Sequence, residues 1–160
     1  MVDVPALAYF ISFRCYGTWL HGDERGSTDR LHNQYGSPFL PQDEDWRRQD
    51  QRLMKQPPVA LSIEQRNLVE RAIRNTCMIR QWNPLAVNVR TNHVHAVVSC
   101  NGTRPELVLN ALKSNATRTL REQGYWKSPH SPWSDHGSRR YLWSEQGVQQ
   151  AIDYVMNRQD

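Results

Sequence analysis

The sequence predicts an α+β protein, a mostly antiparallel four-stranded sheet with helices on one face. Three observations predict it. Residues 6–16 (ALAYFISFRCY) are rich in aromatic and β-branched side chains, the composition of a strand well inside a sheet. Two further strand-like runs, Leu85 to Arg90 and His93 to Cys100, are separated only by Thr91-Asn92, and so short a connection reads as a hairpin. Helical stripes precede and follow that hairpin. The order is strand, long loop, helix, hairpin, helix, strand, helix, with no internal repeat.

The elements can be justified in turn. After the first strand, residues 17–61 are punctuated by Gly, Pro, Asp and Ser, and only Asp43 to Lys55 resembles a short polar helix. A stretch that long without periodicity is unusual inside a compact domain, so the segment reads as a loop insertion within one domain spanning 1–160. Ser62 with Gln65 makes a capping box. Leu68, Val69, Ala72, Ile73, Thr76 and Cys77 then form a helical stripe, which Asn83-Pro84 is expected to stop. Thr103 with Glu106 forms a second expected capping box, and Val108, Leu112, Ala116 and Leu120 supply the apolar face of the next helix. Gly124 is its stop signal. Arg140 to Trp143 reads as a short strand, and Ser144 caps a last helix running to about Gln159.

Composition narrows the function classes. The 160 residues are 38% hydrophobic and 22% charged, ordinary for a soluble globular chain and unlike a disordered one. No apolar run approaches the ~18 residues of a membrane span, and the N-terminus lacks the features of a signal peptide. The expected location is therefore the cytoplasm, in association with the nucleoid. Cys15, Cys77 and Cys100 are scattered and never in C-x-x-C, which argues against a disulfide scaffold or a thiolate zinc site. Twenty Lys+Arg against sixteen Asp+Glu give a formal charge of +4. The only lysines are Lys55, Lys113 and Lys127, and arginine's planar fork suits phosphates and bases. A genome that favours arginine codons gives the same count.

Two features could carry chemistry. His93 and His95 flank Val94, and the period of two in a strand sends both imidazoles to one face with Val97 and Ser99. Two such imidazoles can share a divalent cation when a third ligand comes from elsewhere; ordinary partly exposed histidines give the same pattern. Tyr154 lies on the last helix, about 120° from the centre of the stripe formed by Val148, Ala151, Ile152, Val155 and Gln159. It reads either as a functional group or as a surface aromatic. The outer side of the middle helix carries Lys113, Arg118 and Arg121, with Arg139 and Arg140 further along, and could track a DNA backbone or simply be solvated. Tyr125, Trp126 and Trp133 could stack on unpaired bases or anchor their loop. His21, Asp23 and Glu24 read as a structural loop or, with Arg25 and Arg30, as a DNA-contacting flap.

Taken together, YFISFRCYGTWLHGDERGSTDR (9–30), the HVH strand, LKSNATRTL (112–120) and RYLWSEQGVQQAIDYVMNRQ (140–159) resemble the single-tyrosine HUH transposases. These are the enzymes of the smallest bacterial insertion sequences and of their repeat-associated relatives. The likeness runs in order over most of the chain and is thinnest over 21–61. HVH alone is unspecific, whereas HVH followed by a strand and a tyrosine-bearing helix is much more specific. The resemblance implies a ferredoxin- or RRM-like sheet of the HUH endonuclease type. It implies that His93 and His95 bind Mg²⁺ or Mn²⁺, and that Tyr154 attacks single-stranded, hairpin-containing DNA to leave a 5′-phosphotyrosine and a free 3′-hydroxyl. The family pattern also implies a third ligand, Gln or Asn, four residues after the tyrosine. That position is Arg158 here, which leaves Asn157 and Gln159 as the candidates.

Two readings follow from different classes. One is a metal-dependent single-stranded DNA nuclease and strand transferase. The other is a decayed or domesticated hairpin-binding protein, favoured by Arg158. A two-histidine phosphodiesterase needs a pair of H-x-[ST] motifs, which the chain lacks. Related enzymes occur as dimers whose tyrosine helices cross and as monomers, and a tyrosine helix that closes the sequence tilts the expectation towards a homodimer.

Overall fold

The computed structural model describes residues 4–18 and 56–157. Four strands, β1 (Ala8–Arg14), β2 (Asn83–Val89), β3 (His93–Ser99) and β4 (Ser138–Leu142), form one sheet in the order β2-β3-β1-β4. Every neighbouring pair is antiparallel. The helices are α1 (Ile63–Arg80), α2 (Pro105–Glu122) and α3 (Glu145–Asn157). The α+β class and the antiparallel sheet are those the sequence predicts, and the aromatic first strand is central.

Alternation along the strands creates two unlike faces. Tyr9, Ile11, Phe13, Val94, Ala96 and Val98 point to one side, where α1 and α2 bury them with Leu68, Ile73, Leu112 and Leu120. Ala8, Phe10, Ala86, Val97 and Leu142 point to the other, under Ala151 and Val155 of α3. The last helix therefore lies across the face opposite α1 and α2, where the expectation had the helices together. The reason lies in the strand pattern: Phe10 and Val97 give the second face an apolar half that needs its own cover.

Local signals explain most element ends. Ser62 caps α1: its hydroxyl accepts from the Gln65 N–H at 3.2 Å, and its own N–H donates to Gln65 Oε1 at 2.8 Å. Gln81, left-handed at φ 61°, closes that helix. The helix thus stops before Asn83-Pro84, which open β2 instead of acting as the stop. The second expected capping box does not form. Pro105 lacks an N–H and its fixed φ starts the helix with Arg104 as the cap, which makes no side-chain hydrogen bond. Glu106 instead meets Arg139 at 2.9 Å. Gly124 follows α2 with φ 81°, and the Ser144 hydroxyl accepts from the Gly147 N–H at 3.0 Å at the start of α3.

Most of the expected insertion at 17–61 lies outside the described residues, as do its expected helix at 43–55 and His21, Asp23, Glu24, Arg25 and Arg30. The two ends of the segment are clipped together. Val59 N–H donates to Tyr16 O at 2.9 Å and Leu61 N–H to Thr91 O at 2.7 Å. Among the described residues no helix is long and apolar enough to cross a membrane.

Candidate active site

The face under α3 changes character along the strands. Ala8 and Phe10 of β1 are followed on the same side by Ser12 and Arg14, which pair in register with His95 and His93 of β3. Asn88 of β2 is the other register partner of His95. The apolar half of the face is covered by α3, and the polar half carries both histidines. Tyr154 stands at the border.

Its ring is 5.8 Å, centroid to centroid, from that of His95 at an angle of 77°, and 5.9 Å from Phe10. Phe10 in turn lies 5.5 Å from His95. Tyr154 falls well off the apolar stripe, yet it reaches the sheet because the stripe is narrow. Only Ala151 and Val155 of α3 are fully buried, so a long side chain beside Val155 can extend past the helix edge. Asn88 fixes that end of the helix by donating from Nδ2 to Val155 O at 2.9 Å. The arrangement brings Tyr154 to His95 within a single chain.

The two imidazoles lie 4.8 Å apart, and each has one nitrogen engaged. His95 Nδ1 is 2.5 Å from Ser12 Oγ, and His93 Nδ1 is 2.6 Å from Asn92 Oδ1. The Asn92 oxygen accepts, so the tautomer of His93 with its proton on Nδ1 satisfies that contact. Ser12 permits the same tautomer at His95. Burial, reinforced by the neighbouring His93 and Arg14, lowers the His95 pKa from 6.5 to about 3. A neutral imidazole with Nδ1 occupied and Nε2 available is the state a divalent cation needs. The donor set therefore fits a metal ion. Among the described residues no third His, Cys, Asp or Glu joins the pair. Asn157, exposed one turn beyond Tyr154, is the amide candidate within the described residues, and Gln159 lies outside them.

The five basic residues separate. Arg140 pairs with Phe10 and so shares the face of the histidines. Arg139 points to the opposite face, as do the α2 residues. Lys113 is tied down: its ammonium donates to Ser134 O and His136 O, each at 2.9 Å. Arg121 reaches the carbonyls of Ser128, Pro129 and His130, and Arg118 is exposed, 3.9 Å from Glu122. Lys113 and Arg121 thus pin the loop after α2. Trp133 is buried, with its indole N–H on Thr117 Oγ1 at 3.0 Å, and the Trp126 N–H donates to His130 O at 2.8 Å. These tryptophans anchor the loop.

Sequence reasoning missed Ser12, Arg14, Asn88 and Asn92. A strand register between β1 and β3 would have exposed the first two, and no signal within one sequence supplies that register.

A family model described as IS200-like transposase matches residues 57–157. No protein of curated function matches the chain in sequence. Among solved structures, a REP-associated tyrosine transposase bound to a REP hairpin superposes with a TM-score of 0.56 at 11% identity, covering 97% of this chain and 67% of that one. A candidate transposase from Deinococcus radiodurans R1 superposes with a TM-score of 0.54 at 16% identity, covering 99% and 95%. At these identities the likeness is one of fold.

Proposed function

The chain belongs to the IS200-like transposases, and we propose that it cuts and rejoins single-stranded, hairpin-containing DNA with Tyr154 as nucleophile and His93 and His95 as ligands of a divalent cation, Mg²⁺ or Mn²⁺. The observation that carries the proposal is the approach of the Tyr154 ring to His95 on the HVH strand. The DNA partner follows the REP-associated enzyme, whose structure holds a hairpin.

The residues divide the work as the chemistry requires. A phenol with a pKa near ~10 is a weak nucleophile at neutral pH. A bound cation would neutralise charge on the scissile phosphate and orient it for in-line attack. His93 and His95 would hold it through Nε2, with Asn157 or Gln159 as a further ligand. Tyr154 Oη bonds to phosphorus, the bond from phosphorus to the 3′-oxygen breaks, and the phenolic proton passes to solvent as the 3′-oxygen takes one up. The 5′-phosphotyrosine keeps the energy of the broken phosphodiester, so a 3′-hydroxyl can reverse the step without a nucleotide cofactor. Arg14 and Arg140, on the same face, would hold the DNA backbone. Tyr154 meeting its own chain's His95 supports attack in cis, with or without a dimer.

The test is a covalent-adduct assay with labelled single-stranded DNA from the flanks of the gene, in Mn²⁺ or Mg²⁺, on a denaturing gel. Wild type should form a metal-dependent adduct, and Tyr154→Phe and His95→Ala should not. An adduct that persists in Tyr154→Phe would sink the nucleophile assignment. Hairpin binding without any adduct would favour the second reading, a binding-only descendant, for which Arg158 at the expected ligand position is the supporting observation.

A further inference from the structure

Strand β4, last in the sheet order, carries an aromatic pair that the cutting site does not use. Arg139 and Tyr141 lie on one side of β4, and Trp143 follows two residues on. Tyr141 and Trp143 stack with their planes 9° apart and centroids 5.4 Å apart. Tyr141 is 47% exposed and Trp143 64%. The stack is braced from below: Tyr9 meets Tyr141 edge-on at 5.3 Å, and the Tyr9 hydroxyl donates to Thr103 O at 2.6 Å. Tyr141 is the only ring Trp143 meets among the described residues. A large indole is thus held flat with much of its surface in water, where an apolar side chain of that size is not ordinarily left.

We propose that Tyr141 and Trp143 form a stacking platform for an unpaired base of the DNA, on the side of the sheet opposite Tyr154. Bases stack on exposed aromatic faces whatever their sequence. Phosphates need cations close by: Arg139, two residues before Tyr141 on the same side of β4, supplies one, with Glu106 holding its guanidinium in place, and the exposed Arg104 follows Thr103, whose carbonyl takes the Tyr9 hydroxyl. A second copy of the chain fits this edge less well. Pairing two β4 edges would bring Arg140 of one copy towards that of the other, and charged edge strands resist that association. The platform rests on the proposal that the substrate is single-stranded DNA, but not on the cutting chemistry.

The experiment uses the full chain in EDTA with two labelled probes, dT12 and a twelve-residue abasic strand of equal charge. Wild type should bind dT12 about tenfold more tightly, the effect of stacking one base. Trp143→Ala should erase that preference, and Trp143→Phe should restore most of it. Equal affinity of wild type for the two probes overturns the platform, as does a preference that survives in a folded Trp143→Ala protein. A Trp143→Ala change that alters sedimentation but not the probe ratio assigns the patch to self-association and also overturns it. The adduct assay is read separately. An adduct with an unaltered probe ratio in Trp143→Ala removes the platform and leaves the cutting reaction, and the converse pattern does the reverse.

Discussion

Ser12 Oγ lies 2.5 Å from Nδ1 of His95, across the register that joins the two central strands. The contact orients an imidazole that the tyrosine also approaches, and it leaves Nε2 directed elsewhere. Hydrogen bonds of this kind to a metal-binding histidine are worth about 10- to 100-fold in metal affinity. Ser12→Ala should weaken Mn²⁺ binding by that order, read by electron paramagnetic resonance of free Mn²⁺, while Ser12→Thr should retain most of it. Unchanged Mn²⁺ affinity in Ser12→Ala would show that the hydroxyl does not position the ring.

Asn88 ties the C-terminal half of α3 to the sheet through Val155 O. Asn88→Ala removes that part-buried hydrogen bond, at a cost of about 1 kcal/mol. Because the helix is short and only two of its residues are fully buried, the loss should fall on α3 first. Amide exchange should quicken around residues 151–157 more than in α1, and adduct formation should drop. Uniform acceleration across all three helices would mean that the contact supports global stability instead.

How much of this was legible in the sequence depended on the range of each interaction. The Ser62–Gln65 box, the Ser144 cap and the Gly124 stop are written within a few residues, and the structure keeps them. The Thr103–Glu106 box failed because Pro105 moved the helix start by one residue, which a pattern of spacing alone does not weigh. That His93 and His95 share a face follows from strand alternation. That Ser12 and Arg14 join them depends on pairing between segments about eighty residues apart. The side of the sheet taken by α3 is equally non-local, and it separates Lys113, Arg118 and Arg121 from Tyr154.

Lys113 and Arg140 should therefore respond differently to removal. The Lys113 ammonium satisfies two carbonyls of the loop before β4, and burial lowers its pKa even against the favourable charge of Asp135. Lys113→Met should cost about 2 kcal/mol through those lost charged hydrogen bonds, seen as a lower Tm. Arg140→Met should instead reduce the slope of log Kd against log salt for hairpin DNA by about 1, the effect of one lost phosphate contact. A slope unchanged in Arg140→Met would remove that arginine from the DNA interface.

Gly137 sits where the chain turns into β4, and a Cβ built there would lie 2.8 Å from the Ser12 carbonyl oxygen and 3.0–3.1 Å from both Leu109 methyls. Leu109 could yield by rotating, but Ser12 belongs to a central strand paired on both sides, so its backbone cannot. Gly137→Ala should cost about 1–3 kcal/mol as an overpacked site. Any relief must move either β4 or the strand that carries Ser12 towards His95, so Mn²⁺ affinity should fall along with Tm. Gly124→Ala is the natural comparison. It has φ 81° and nothing within 4 Å of the added carbon, so it should cost about 1 kcal/mol from left-handed strain and leave Mn²⁺ affinity intact. Equal metal affinity in the two variants would show that β1 absorbs the crowding without disturbing the Ser12–His95 contact.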